Sequence, residues 1–320
     1  MRFKQNIVSL DMRKQILTKV FFMTLLGLTT LCMFSCNDFE GDQQIASYIY
    51  IKGFSMTQNQ DIDEGGTDGF LTNDVVDAWV YVDHIYIGTY ALPCSVPILK
   101  EGKHLIEVRP GIKINGITLT RTEYPFYTTY TDSINLQPNH TDTINTISFN
   151  YKTSLATFGF TEFFETPTID SLHADGLKDT AYITKVSKVS APDTVKYGSY
   201  CGVMRLASGA SAYKVVTDSL YCNNYSTLIL EMDYWCNIPF SIGMKGKSSS
   251  SAQTQYIPAM TINANAKKGW QKIYVVLGKV WSQLSYPSYF QVYFSPLEQT
   301  SQANGWVFVD NIKIIHNPNK

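Results

Sequence analysis

Apolar and polar residues along this chain follow two different rhythms. Between Val20 and Phe34 the apolar positions run almost unbroken, VFFMTLLGLTTLCMF. From Ile45 onward they alternate with polar ones over short stretches, and helical periodicity is scarce. Strict alternation marks a half-buried strand, since successive side chains point to opposite faces. Tyr48–Ile51, Asp77–Asp83, Leu105–Val108 and Ile134–Leu136 read this way, and Ile112–Tyr130, rich in Thr and Tyr, reads as one long hairpin. Pro93 and Pro97 interrupt an edge segment, and Pro138 closes what reads as a last strand and turn. From about Tyr151 the strands become more widely spaced: Phe158–Glu165, Gly198–Val203, Leu228–Tyr234, Phe240–Gly243, Trp270–Val275, Phe290–Phe294 and Trp306–Ile315. The pattern predicts an all-β protein with one β domain over 45–150 and an antiparallel sandwich of two sheets over 151–320.

The unbroken apolar run is shorter than the roughly 20 residues of a membrane span, and it follows Arg13, Lys14 and Lys19. A positive segment before a short apolar run is the layout of a secretory signal, which Met12-Arg13-Lys14 would begin by itself. The run ends in Met33-Phe34-Ser35-Cys36 with no A-x-A-like cleavage site. These four residues resemble a lipobox, as in Bacteroidota-type lipoproteins, where a bulky residue before Ser-Cys is familiar. The resemblance implies a signal peptide over 1–35, lipid on the Cys36 sulfur and a lipidated tether over 36–44. Several acyl chains hold a protein stably where a single chain does not. Asn37, not Asp, follows Cys36, and acidic residues come slightly later in Asp38-Phe39-Glu40-Gly41-Asp42. That arrangement resembles outer-membrane placement with a surface-export signal; a solvated acidic tether explains it equally well.

Composition narrows the partners. Lys and Arg total 26 against 27 Asp and Glu, without a basic stripe, which argues against nucleic acid. Beyond Cys32 and Cys36, four cysteines remain at Cys94, Cys201, Cys222 and Cys236, without C-x-x-C spacing. They read as isolated small apolar residues better than as a zinc site, although an exported chain could pair two of them. Asp61, Asp63 and Glu64 before Gly65-Gly66 lack the remaining ligands of an EF-hand and read as a solvated loop.

Residues 80–112, VYVDHIYIGTYALPCSVPILKEGKHLIEVRPGI, resemble PEGA-type and related Ig-like modules. The resemblance implies an Ig-like sandwich in which the Gly102-x-His104 element is structural and not a metal ligand. His84 stands where that pattern usually carries Gly, which leaves the turn type open.

Phe164-Glu165 near the start of the second domain, Trp270-Gln271-Lys272 in its middle and Val307-Phe308-Val309-Asp310-Asn311-Ile312 at its end resemble galactose-binding-like jelly rolls, common among carbohydrate-binding modules. That resemblance implies a structural calcium held by Asp310 with Glu165, and with Glu162 as a further donor. Asp310 capping a turn is the plainer alternative. Aromatic rings stack on pyranose faces, and Trp281, Tyr286 and Tyr289 in WSQLSYPSY are the best candidates for a sugar platform, with Trp235 second. Trp270 and Trp306 lie within strands and read as core.

Glu231-Met232-Asp233 places two carboxylates on one face of a strand. It resembles the start of the laminarinase-type E-x-D-x-x-E, but Cys236 occupies the position of the second catalytic acid. G-x-S-x-G, H-E-x-x-H and a phosphate-cradling loop are all missing from the sequence. The expected function is therefore non-catalytic: an outer-membrane lipoprotein binding a polysaccharide or an envelope protein. A subunit of a surface assembly and a divergent glycan-active enzyme are the alternatives. An exposed aromatic platform or cleft would favour glycan, a broad apolar patch assembly, and clustered acids in a cleft catalysis.

Overall fold

The computed structural model describes residues 13–26, 44–58, 71–169, 171–175, 183–207, 209–221, 227–248, 252–297 and 304–318. Cys36, Cys222 and the Asp61-Asp63-Glu64 loop lie outside the described residues. Residues 13–26 form helix α1, exposed along its length, in a unit (Met1–Ala46) separate from Ser47–Lys320. No helix among the described residues is long and apolar enough to cross a membrane.

Among the described residues from Ser47 onward the regular elements are strands except for one short helix, and the chain is an all-β sandwich protein. Strands β1 (Ser47–Met56), β4 (Cys94–Ile98) and β8 (Thr141–Phe149) form one sheet in the order β4-β1-β8. Strands β2 (Asp77–Val82), β3 (Ile85–Ala91), β5 (Gly102–Lys113), β6 (Arg121–Glu123) and β7 (Tyr130–Leu136) form a second, with β5 at its centre. Ile49, Ile51, Val80, Val82, Ile106 and Val108 meet between these sheets and are fully buried. The β1–β8 pair is parallel, Tyr48 opposite Thr141 and Met56 opposite Phe149. Strand β8 lies beyond the Pro138 turn that reads as the end of the domain. Its buried residues Ile144, Ile147 and Phe149 break the period of two, which hides the strand from a pattern search.

The Asp83-His84 turn joins β2 to β3 with both residues at positive φ, 50° and 65°, the signature of a type I′ turn. Asp83 explains why the turn holds without glycine. Its carboxylate accepts from Lys100 Nζ at 2.7 Å, His104 at 2.7 Å and the Leu105 amide at 3.1 Å. His104 thus fixes a turn to a neighbouring strand. The hairpin expected over Ile112–Tyr130 is short. Only Arg121–Glu123 pairs with the end of β5, because Tyr124, Phe126 and Tyr127 turn away to be buried elsewhere.

The remaining strands are β9 (Thr157–Glu162), β10 (Leu172–Ala174), β11 (Thr184–Ser187), β12 (Tyr200–Ala207), β13 (Val215–Thr217), β14 (Leu220–Tyr221), β15 (Leu228–Cys236), β16 (Phe240–Gly246), β17 (Gln255–Ile262), β18 (Gln271–Val276), β19 (Tyr289–Pro296) and β20 (Asn304–His316). One sheet runs β10-β13-β19-β16-β17 with β14 on β19, and the other β11-β12-β20-β15-β18 with β9 on β20. Met204, Leu230, Met232, Phe240, Ile242 and Phe294 fill the space between them. Strand β17 escapes an alternation search because Pro258 sits where its register to β16 shifts, and it is an edge strand, the place where a proline is tolerated. On β16, a Cβ at Gly243 would fall 2.3 Å from the Tyr293 ring, so glycine is what lets that ring lie across the sheet.

The two groups of strands meet at a third core of Met56, Ile112, Tyr124, Phe126, Tyr127, Phe149, Tyr151, Ile229, Tyr274 and Ile315. Ile114, just past β5, bridges Tyr274 of β18 in parallel, and the Asn115 amide donates to the Tyr274 carbonyl at 2.7 Å. The loop after β5 thereby caps the open edge of a sheet that belongs to the other group.

Candidate functional site

Strand β15 is buried on both sides, and its period of two sorts its residues. Leu228, Leu230, Met232 and Cys236 enter the sandwich core, while Ile229, Glu231 and Asp233 face outward. That outer face carries the first group of strands. Glu231, fully buried, accepts hydrogen bonds from the Tyr124 and Tyr151 phenols, the latter at 3.0 Å, and lies 3.3 Å from Lys272 Nζ. Asp233 accepts from Thr72 Oγ1 at 2.7 Å and Asn311 Nδ2 at 3.1 Å, and Lys272 also donates to Thr72. Burial pushes the Tyr124, Tyr127, Tyr151 and Tyr274 phenols well above the usual tyrosine range, reinforced by the Glu231 charge. Burial alone would lower the Lys272 ammonium, but Asp233 and Glu231 together raise it above an ordinary lysine. The E-x-D carboxylates are thus both on one face, and that face is sealed by tyrosines and engaged in docking.

Beside this seam lies a cleft of about 860 Å³, within the size range of small-molecule sites. It is assembled from six stretches: Asn73 and Asp74, residues 113–117, Lys196 and Tyr197, Asp233 and Tyr234 of β15, the end of β17 with the 263–268 loop, and Trp270 with the start of β18. Its walls are dominated by carboxamides and lysines. Half-buried Trp270 and Tyr197 supply ring faces, and Trp270 is fixed by Nε1 donating to the Thr194 carbonyl at 2.7 Å. Gln271 Oε1 accepts from Asn265 Nδ2 at 3.1 Å, and the Asn115 carboxamide accepts from the Val276 amide at 3.3 Å, so both polar groups are held in place. Trp270, Gln271 and Lys272 belong to the central W-x-K segment, whereas Asn115, Tyr197 and Asn265 belong to no sequence motif. Trp270, which reads as core, precedes its strand and does both: it packs against the buried Val195, Cys201, Val203 and Phe308 cluster and lines the cleft.

Of the expected aromatic platform, Trp281 and Tyr286 meet edge to face at a ring separation of 5.7 Å, but no shared exposed surface results. Trp281 is a correction: it sits in helix α2 (Gly278–Gln283), 1% exposed, with Nε1 bonded to the Pro287 carbonyl at 2.8 Å. Its indole fills the sandwich core and offers no face to a sugar. Tyr286 and Tyr289 are exposed, and Tyr289 pairs with Tyr221 across β14 and β19 at a ring separation of 5.2 Å. Trp235 is elsewhere, half-buried on the outer face of β15, with Trp306 at 5.0 Å and Phe308 at 5.8 Å. The structure therefore brings Tyr286 to Trp281 and Tyr289 to Tyr221, but none of the candidates to Trp235.

Asp310 lies on the last strand opposite Asp233, where a bulge at Asn311 (φ 49°) resets the alternation. It is fully buried; Oδ1 accepts the Asn311 amide at 2.8 Å, and Oδ2 has no hydrogen-bond partner among the described residues. Burial, with the nearby charges of Asp233, Glu165 and Glu162, pushes its carboxyl up to about 9. Glu165 accepts from the Ser199 and Tyr200 amides, and Glu162 from the Phe164 amide and Ser171. Among the described residues no three Asp, Glu, His or Cys side chains converge on one point. A cation here would take only part of its six to eight oxygens from these carboxylates and the rest from backbone and water. The orphaned, destabilised Asp310 oxygen is the feature that fits one.

Cys94, Cys201 and Cys236 are free, and burial raises the Cys201 thiol to about 12 and the Cys236 thiol to about 11.

No protein-family model matches the chain, and no curated protein does. Solved structures give distant likenesses. A carbohydrate-binding module of the β-sandwich superfamily, described for promiscuous specificity, covers 86% of this chain and 99% of its own at 13% identity, with a TM-score of 0.39. The K1 cleaved adhesin domain of Lys-gingipain from Porphyromonas gingivalis W83 covers 50% and 98% at 15% identity, with a TM-score of 0.35. The CBM22-2 xylan-binding domain from Paenibacillus barcinonensis Xyn10C covers 49% and 98% at 17% identity, with a TM-score of 0.34. Scores this low assign neither a family nor a ligand to this chain.

Proposed function

We propose that this protein is a non-catalytic, lipid-anchored glycan-binding protein of the outer membrane, with the cleft between the two groups of strands as its binding site. The observation that carries this reading is the cleft itself. Carboxamides fixed by hydrogen bonds line it beside the ring faces of Trp270 and Tyr197. Amides read sugar hydroxyls, and aromatic faces stack on the C–H faces of a pyranose. A cleft also weighs against an assembly subunit, which would want a broad apolar face. Glu231 and Asp233 are committed to docking, which supports a binding role over hydrolysis.

A glycan array followed by calorimetry on the full chain in mild detergent tests the reading. Binding that is lost on Tyr197→Ala and Trp270→Ala, but kept on Tyr289→Ala, supports the cleft. Loss only on Tyr289→Ala would move the site to the exposed Tyr221–Tyr289 pair. The anchor is tested separately: labelling with a tagged fatty acid should be lost on Cys36→Ser. A structural calcium at Asp310 and Glu165 belongs to the same reading, supported by the orphaned Asp310 oxygen.

A further inference from the structure

We propose that the cleft selects acidic glycans, those carrying carboxylate or sulfate groups, over neutral ones; this rests on the reading of the cleft as a glycan site. The chain as a whole has a formal charge of −1, so a cleft lined at random would mix the two signs. This one does not. Four lysines line it, Lys113, Lys196, Lys268 and Lys272, against two acids, Asp74 and Asp233. Lys272 and Asp233 share Thr72 as a hydrogen-bond partner at the seam, and their charges offset one another.

Three lysines then face a single exposed carboxylate, Asp74. Among the described residues Lys113, Lys196 and Lys268 make no salt bridge; half-buried Lys113 still feels the Asp77 charge, so exposed Lys196 and Lys268 offer the charge most available to a ligand. The Lys196 ammonium lies over the Tyr197 ring, 4.9 Å from its centroid, which puts a positive charge at one of the cleft's aromatic residues. A sugar stacked on Tyr197 with an anionic substituent on its rim would meet that ammonium. Low-dielectric walls strengthen such attraction relative to open water.

Calorimetry on the full chain in mild detergent compares trigalacturonate, a sulfated galactan oligosaccharide and neutral galactotriose. The expected result is at least tenfold tighter binding of one or both charged oligomers. Raising NaCl from about 20 to about 500 mM should weaken it roughly tenfold, since salt screens solvent-accessible charge. The Lys196→Gln, Lys268→Gln double variant should lose the preference while keeping its melting temperature, because both side chains are exposed. The two charged arms separate carboxylate from sulfate recognition. Equal or tighter binding of galactotriose, insensitive to salt, would overturn the acidic preference and leave glycan binding standing. Absence of binding to all three, and to the wider array, would overturn both.

Discussion

Tyr151, two residues past the end of β8, donates its phenol to Glu231 of β15 at 3.0 Å, a bond spanning 80 positions of sequence. Tyr124 donates to the other Glu231 oxygen, and Lys272 approaches at 3.3 Å, so the carboxylate is fully enclosed by partners. A buried ion pair adds little net stability when complete, but breaking it strands a charge. Glu231→Ala should therefore cost about 3–5 kcal/mol. Tyr151→Phe, which removes one donor to a buried carboxylate, should cost about 1–3 kcal/mol. Urea unfolding monitored by circular dichroism measures both. An unchanged midpoint for Glu231→Ala would mean that the seam is not held by this cluster.

The strand content was legible because a period of two survives wherever one face is wet, as in Asp77–Val82. The Glu231–Asp233 pair was legible as two carboxylates on one face. Its purpose was not, since nothing local to β15 says that Tyr124 and Tyr151 will cover that face. The cleft was invisible for the same reason: Asn73, Asn115, Tyr197 and Asn265 are ordinary residues in four separate segments. Pro258 hid β17, and Trp281 misled because WSQLSYPSY has the polarity of a loop, while a single helical turn buries its indole.

That burial makes a direct contrast between two candidate residues. Trp281→Ala should cost about 3–5 kcal/mol, the range for emptying a large aromatic site in a core. Tyr289, 64% exposed, should change stability by no more than about 0.5 kcal/mol when replaced by alanine. Thermal melting of the two variants side by side checks this. A stable Trp281→Ala protein would place the indole outside the core.

Asp83 gives the turn between β2 and β3 a pH dependence. Lys100, His104 and the Leu105 amide hold its carboxyl well below the usual carboxylate range. A depressed folded value contributes stability above about pH 4, the unfolded value, and loses it as pH falls toward the folded one. Asp83→Asn keeps a residue that tolerates positive φ and removes the charge. The variant should melt below the wild type at pH 7, and the gap should narrow at pH 3. A gap independent of pH would show that the turn, and not the charge, sets its stability.

Asp310 works in the opposite direction. Its carboxyl is pushed up to about 9 by burial and by Asp233, Glu165 and Glu162, so without a cation the folded protein holds a proton that the unfolded chain releases near pH 4. Stability from this group is complete below about pH 4 and is lost as pH rises toward 9. In chelator, wild-type melting temperatures should therefore fall across that window. Asp310→Asn, with no proton to lose, should lack that part of the slope and overtake the wild type at alkaline pH. Calcium, by pairing with the ionised carboxylate, should restore the wild type near pH 8 and leave Asp310→Asn unmoved. A wild type indifferent to calcium while its pH slope persists would show that the proton is all that Asp310 binds, and the calcium would have to be given up.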